Sequence, residues 1–186
     1  GHDDMVALVL ALGSQRLDVK AITNVAGNKV MEKVVRNTLN ILNYCGAECI
    51  VAPGASRPIV RAYTRTDSEG GHGASGLDGF DFPRDNPLKP SDRKAVEVMA
   101  DVLRNSREKV VLIGTGPLTN LGLLIRTFPE LCEEKVRCIS LMGGTCHFIL
   151  TRPFMEFNTY LDAEATKIVF ESGLPITMYG YDVTYR

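Results

Sequence analysis

The stretch that most limits what this chain can fold into is Val110-Val111-Leu112-Ile113. It runs directly into the turn Gly114-Thr115-Gly116-Pro117-Leu118-Thr119-Asn120. A continuous apolar run of strand length, ended by a Gly-rich turn, predicts a central parallel strand covered on both faces. Pro117 suits the first turn of a following helix. The glycines let backbone carbonyls and N–H groups approach a ligand closely.

The same order of strand, polar turn and helix recurs along the chain. Leu17–Thr23 reads as a strand leading into Asn24-Val25-Ala26-Gly27-Asn28. Met31 to Tyr44 carries apolar residues at helical spacing and is closed by Gly46, and Cys49–Ala52 is a short strand. Ser91 opens a helix to Asn105 with Ser91 as its cap. Val136–Met142 is a strand ending in Gly143-Gly144, Asp162 to Ser172 a helix, and Pro175–Tyr179 a last strand. Alternating strands and helices predict an α/β fold, an open, mostly parallel sheet flanked by helices with a Rossmann-like core. At 186 residues the simplest organisation is one domain spanning residues 1–186. In such sheets ligands bind outside the carboxyl ends of the strands, so Asn28, Thr115 and Met142 are expected along one edge.

The chain starts Gly1-His2-Asp3-Asp4, two carboxylates directly before the apolar run Met5–Leu12. That run is apolar all round, which predicts a buried helix. Aspartate is a favoured helix cap, but capping needs only one. A second adjacent carboxylate is repelled unless a cation or polar ligand separates the two. A hard cation such as Ca²⁺ takes several oxygens, which paired aspartates supply. Ala55 to Pro90 is a long irregular stretch centred on Gly70–Gly79, expected to form a lid or wall beside a site. His72 within it reads more readily as structural than as catalytic. In Phe154-Met155-Glu156-Phe157-Asn158, polar groups alternate with apolar ones. In extended chain Glu156 and Asn158 would share a face.

Composition excludes several classes. Net charge is −1, which gives no electrostatic case for nucleic acid or an anionic membrane surface. No apolar run reaches the roughly 20 residues of a membrane-spanning helix. The five cysteines, Cys45, Cys49, Cys132, Cys138 and Cys146, are few and odd in number, so a disulfide framework is not expected. A reduced, cytoplasmic setting follows.

Taken together, the motifs resemble the inosine/uridine-preferring nucleoside hydrolase family over nearly the whole chain. Gly1-His2-Asp3-Asp4 is similar to the end of the family's N-terminal Asp-x-Asp-Pro-Gly-x-Asp-Asp motif. Val25-Ala26-Gly27-Asn28 resembles its Val-Ala-Gly-Asn turn, and His72 through Gly79 its His-Gly-x-x-Gly-x-Asp-Gly loop. Gly116-Pro117-Leu118-Thr119-Asn120, Met142-Gly143-Gly144 and Glu156-Phe157-Asn158 resemble three more, in the family's order.

The resemblance implies hydrolysis of the N-glycosidic bond of purine or pyrimidine ribonucleosides to base and ribose, with one Ca²⁺ bound. It implies Asp4 and the Thr115 carbonyl as Ca²⁺ ligands, and Asp3, Asn28, Met142, Glu156 and Asn158 around the ribose. It also implies a homodimer or homotetramer. The family's general base would precede Gly1, so no catalytic residue is expected within the chain, and the fragment alone is expected to be inactive. The first strand is likewise expected before Gly1, and a late His-Asp segment after Arg186. Leu150, Arg152-Pro153 and Met155 depart from the family's Asn, Thr-Pro and Ala, which replaces one sugar-binding amide. Two other classes stand against an enzyme. One is a non-catalytic nucleoside- or sugar-binding protein on the same fold. The other is a nucleotide-binding domain, disfavoured because no Gly-x-Gly-x-x-Gly follows a strand.

Overall fold

Among the described residues every strand pair is parallel, as the strand–helix alternation requires. The computed structural model describes residues 1–63, 71–146 and 155–184. Leu150, Arg152 and Pro153 lie outside them. The chain forms two compact units, residues 1–56 with 64–98, and residues 57–63 with 99–186.

The first unit holds β1 (Ala21–Asn24), β2 (Ile50–Pro53), α1 (His2–Gly13) and α2 (Met31–Cys45). β1 is shorter than the expected Leu17–Thr23 because its partner begins only at Ile50, opposite Ala21. α2 runs as its apolar spacing dictates and ends at Gly46 in the left-handed conformation, φ 60°. Its Met31, Val35, Leu39 and Leu42 bury against Val51, with Leu12 packed beside them.

The expectation that α1 is a buried helix is corrected: none of its residues is buried. Met5, Leu8 and Leu12 form a half-covered stripe, while Val6, Val9 and Leu10 on the other side are exposed. A segment that is apolar all round hides which stripe is packed. Ser91 is not a helix cap either, because its Oγ accepts from Arg93 N and its own N–H donates to Val51 O at 2.7 Å. α3 instead starts at Ala95 and runs to Asn105, with Glu97 accepting from Lys94 N at its start. The division between the two units falls within α3.

The second unit holds β3 (Val110–Gly114), α4 (Thr119–Thr127), α5 (Pro129–Lys135), β4 (Val136–Met142), α6 (Phe157–Leu161), α7 (Ala163–Phe170), β5 (Ile176–Tyr179) and α8 (Tyr181–Thr184). Among the described residues the sheet order is β3-β4-β5, with Val110–Ile113 in an outer strand; its central position was expected together with a first strand from before Gly1. β3 is at the edge, with Val111 41% and Ile113 63% exposed. The central strand is β4, whose Val136, Ile139 and Leu141 are buried. An apolar run reports affinity for cover but not position in the sheet. Pro117 precedes the helix cap Leu118 rather than occupying the first turn, and the proline that opens a helix is Pro129. α4 approaches α7 closely at Gly122, where an added Cβ would lie 3.2 Å from the Ala165 Cα.

The expected helix Asp162–Ser172 is two helices joined at Asp162. That side chain is fully buried. Its Oδ2 accepts from Thr119 Oγ1 at 2.6 Å and from Ile59 N at 3.0 Å, and its Oδ1 accepts from Ala165 N at 3.0 Å. One carboxylate thereby ties α4, α7 and the segment 57–63 together and supplies the buried acceptor those donors need.

Candidate active site

The candidate residues fall in two clusters, one in each unit. In the first unit, Asp3 and Asp4 stand in the first turn of α1, where negative charge is favoured. Asp4 behaves as a cap: its Oδ2 lies 2.7 Å from the Gly1 nitrogen. Asp3 is left out of the capping, and its side chain is 81% exposed. His72 Nε2 lies 3.8 Å from Asp3 Oδ1. Asn28 lies half-buried in the turn after β1, where Gly27 N donates to Lys29 O.

The Gly-rich stretch reaches both of these places. His2 N donates to His72 Nδ1 at 3.3 Å, and His2 Nε2 bonds the Asp78 carbonyl at 2.9 Å. On the α2 side, Lys33 Nζ donates to Ala74 O at 2.9 Å and Asn37 Nδ2 to Ser75 O at 2.8 Å. Asp78 is drawn down to about 2 by the Ser75 hydroxyl and by the backbone N–H groups of Ser75 and Ala74. A carboxyl shifted this way stabilises the loop fully above the ordinary value of 3.8. That stabilisation is lost only as the pH falls through about 2, so the loop does not titrate near neutrality. Burial lowers the His72 pKa, against the raising effect of the nearby Asp3 and Asp4 carboxylates.

In the second unit the structure gathers Thr115, Met142, Glu156 and Asn158. Thr115 follows β3 and Met142 ends β4, so both sit at carboxyl ends of strands. Asn158 Nδ2 donates to Thr115 O at 3.3 Å and to Met142 O at 3.2 Å. Its Oδ1 takes no part in these bonds. The expectation that Glu156 and Asn158 share a face of extended chain is corrected. Asn158 is in α6, and Glu156 is the helix cap. Both are buried. Glu156 Oε1 accepts from Asn158 N at 2.8 Å, and Oε2 accepts from Thr159 N and Gly144 N at 3.0 Å each. The alternating pattern misled because a helix cap and the second residue of its helix also stand two positions apart. A second organiser is Asp182, which accepts from Thr145 Oγ1 and from Cys146 N and holds the turn after Gly144.

The sequence reading assigned no role to His2, Lys33, Asn37 or Asp182 and did not see Asp78 as the centre of its loop. Ser75 and Asp78 at i and i+3 amid glycines were the available signal, since Asp and Ser side chains fold such turns on themselves.

The two metal candidates, the Asp4 carboxylate in the first unit and the Thr115 carbonyl in the second, are both oxygen donors. This is the donor chemistry of a hard cation such as Ca²⁺. Among the described residues no three His, Cys, Asp or Glu side chains gather into a metal-holding group. Within the second unit the Thr115 and Met142 carbonyls and the Asn158 amide lie together at strand ends, groups able to hydrogen-bond a polyhydroxylated ligand.

The sequence pattern of the inosine-uridine preferring nucleoside hydrolases matches residues 1–186. The chain is 46% identical to the pyrimidine-specific ribonucleoside hydrolase RihA of Escherichia coli O9:H4, and equally to that of Klebsiella pneumoniae. Both alignments cover 100% of this chain and 59% of the relative, so the chain spans about three-fifths of the length of these proteins. A purine-preferring ribonucleoside hydrolase from Gardnerella vaginalis superposes with a TM-score of 0.89 at 34% identity, over 98% of this chain and 58% of that one. The plant nucleoside hydrolase PpNRh1 gives 0.89 at 30% identity, over 100% and 58%.

Proposed function

Because this chain belongs to the inosine-uridine preferring nucleoside hydrolase family, we propose that the protein it represents hydrolyses the N-glycosidic bond of ribonucleosides. The observation that carries the reading is the Asn158 amide tying the carbonyls of Thr115 and Met142 at the ends of two parallel strands. Donors and acceptors at strand ends support the reading, since ligands of α/β sheets bind there. In the reaction, the bond between ribose C1′ and the base nitrogen breaks, water adds to C1′, and the base leaves with a proton. Positive charge develops on the ribosyl ring, so fixed acceptors near the sugar stabilise the transition state.

Asp3 accepts from ribose hydroxyls, Asn28 and Asn158 hydrogen-bond the sugar, and Glu156 keeps Asn158 and the Gly143-Gly144 turn in place beside it. Met142 lies against the apolar face of the ring. Asp4 and the Thr115 carbonyl are the residues that would hold Ca²⁺, which when bound orients ribose hydroxyls and acidifies a water. Relatives include both a pyrimidine-specific and a purine-preferring enzyme, so the reading extends to both base classes. Five free cysteines fit a reducing, cytoplasmic location. Among the described residues no helix is long and apolar enough to cross a membrane. The assembly that goes with this reading is a homodimer or homotetramer.

Two measurements on the full-length gene product test this. Incubation with inosine and with uridine should release free ribose and base; no release from either would leave a non-catalytic nucleoside-binding protein. Calorimetric titration should show Ca²⁺ affinity falling by about 10–100-fold or more in Asp4→Ala, the scale seen when metal-site residues are removed. Equal affinity in both proteins would refute Asp4 as a ligand.

A further inference from the structure

Four consecutive residues after β4 are held by atoms from other elements. Gly143 N donates to Tyr179 O at 3.2 Å, and Gly144 N donates to Glu156 Oε2 at 3.0 Å. Gly144 O accepts from Tyr181 N at 2.8 Å. The Thr145 hydroxyl donates to Asp182, 3.2 Å from Oδ1 and 3.1 Å from Oδ2. Cys146 N donates to Asp182 Oδ2 at 2.8 Å. Two carboxylates therefore clamp this turn from different elements. Glu156 does so as the cap of α6, and Asp182 from α8.

The turn needs such ties. Glycine loses more conformational freedom on ordering than any other residue, and here two stand together. Gly144 has φ at +70°, and an added Cβ would meet Met178 Sδ at 3.0 Å. No side chain can stiffen the backbone at that position, so stiffness must come from hydrogen bonds. The turn is continuous with Met142, whose carbonyl accepts from Asn158 Nδ2. Glu156 bonds both Gly144 N and Asn158 N. Loosening at Thr145 and Cys146 is thereby passed to Met142 along the chain and to Asn158 through Glu156. Asp182 itself is closely seated, since a Cβ on Gly180 would lie 3.0 Å from its Oδ2 and 3.1 Å from Gly144 O.

We infer that Asp182 is a positioning residue for the sugar-binding edge of the second unit: by accepting from Thr145 and Cys146 it keeps the Gly143-Gly144 turn in one conformation before ligand arrives, and so presets Met142 and Asn158. The inference rests on the reading of Met142, Glu156 and Asn158 as the residues around the ribose. Asp182 acts only through the turn. A site that is ordered for part of the time binds more weakly in proportion to that fraction. The rate from the bound state is spared, so the signature is a raised KM at constant kcat.

The test uses the full-length protein and three variants. Asp182→Ala removes every acceptor for Thr145 and Cys146. Its KM for inosine or uridine should rise by about 10-fold with kcat within about threefold, as for a turn ordered about one tenth of the time. Asp182→Asn is the rescue. Its amide oxygen can accept from Cys146 N, and the Thr145 hydroxyl can turn to accept from the NH₂. Its KM should stay within about threefold of wild type. Thr145→Val keeps the bond to Cys146 and should fall between, which guards against an alanine variant that fails to fold.

Amide hydrogen exchange at Cys146 gives a readout independent of catalysis. The residue is exposed, so protection of its N–H reports the bond to Asp182. Protection should be present in wild type and in Asp182→Asn, and should fall by about 10-fold in Asp182→Ala, in step with KM. An unchanged KM in Asp182→Ala overturns the inference. So does an Asp182→Asn variant as impaired as the alanine, which would assign the effect to charge and not to the two bonds. A parallel fall of kcat and melting temperature also overturns it, as the mark of a general structural role. If wild type releases no ribose, the functional reading fails on its own, and exchange still judges the turn. An unprotected Cys146 amide in wild type then overturns the role of Asp182, and protection lost in the alanine but kept in the asparagine variant supports it.

Discussion

Asp162→Ala is expected to destabilise the unit built on β3, β4 and β5 by about 3–5 kcal/mol, the scale seen when one partner of a buried charged interaction is removed. The carboxylate is wholly enclosed and serves three donors, Thr119 Oγ1, Ile59 N and Ala165 N. Leaving a buried donor unsatisfied costs about 1–3 kcal/mol. The Thr119 hydroxyl can turn elsewhere, but the two backbone N–H groups cannot leave their positions. Against this, the variant no longer has to bury a charge, which is why the lower part of the summed range is expected. Domain stability is about 5–15 kcal/mol, so a large share of it would go. Thr119→Val removes one donor together with its need for an acceptor and should cost about 1 kcal/mol. Urea unfolding followed by circular dichroism measures both, since the chain has no tryptophan to report on the core. A loss below about 1 kcal/mol in Asp162→Ala would show that water replaces the carboxylate and that the three elements hold together without it.

Asp162 also marks how much of this fold was legible. The sequence places a helix start at Asp162, and the residue does cap α7. That the same carboxylate reaches α4 and Ile59 is invisible to local pattern, because those partners lie 43 and 103 residues away. β4 has the expected bounds, and α2 ends where Gly46 demands, because burial period and turn chemistry are local properties. α1 was misjudged as buried for the same reason. Apolar composition states that a face prefers cover, while the cover itself is a tertiary fact.

The site divides in the same manner. The residue types at positions 3, 4, 28, 115, 142, 156 and 158 were readable from motifs. Thr115 and Met142 were expected at strand ends, but that Asn158 of α6 joins their carbonyls was not legible. What the oxygens of Glu156 do was not either, since its three partners are backbone N–H groups that carry no residue signature.

Glu156→Gln, an isosteric change, is therefore expected to lower kcat/KM of the full-length protein by about 100-fold, the scale of a misplacement of about 1 Å in a site. The buried carboxylate accepts three backbone N–H groups, two on Oε2 and one on Oε1. A glutamine must put its NH₂ on one side. The side that loses least is Oε1, where the amide would face the N–H of Asn158, donor against donor. Asn158 then moves, and with it the Nδ2 that ties the Thr115 and Met142 carbonyls. One orphaned buried donor costs about 1–3 kcal/mol, so the melting temperature should fall as well. Glu156→Asp keeps the charge but is one methylene short and should lie between wild type and Gln. The paired readout separates two roles for this carboxylate. A residue that only accepted from ribose would lose activity at unchanged melting temperature, whereas the cap must lose both. If Glu156→Gln keeps kcat/KM within about threefold, the amide has found an arrangement that satisfies all three N–H groups, and Asn158 does not depend on the charge.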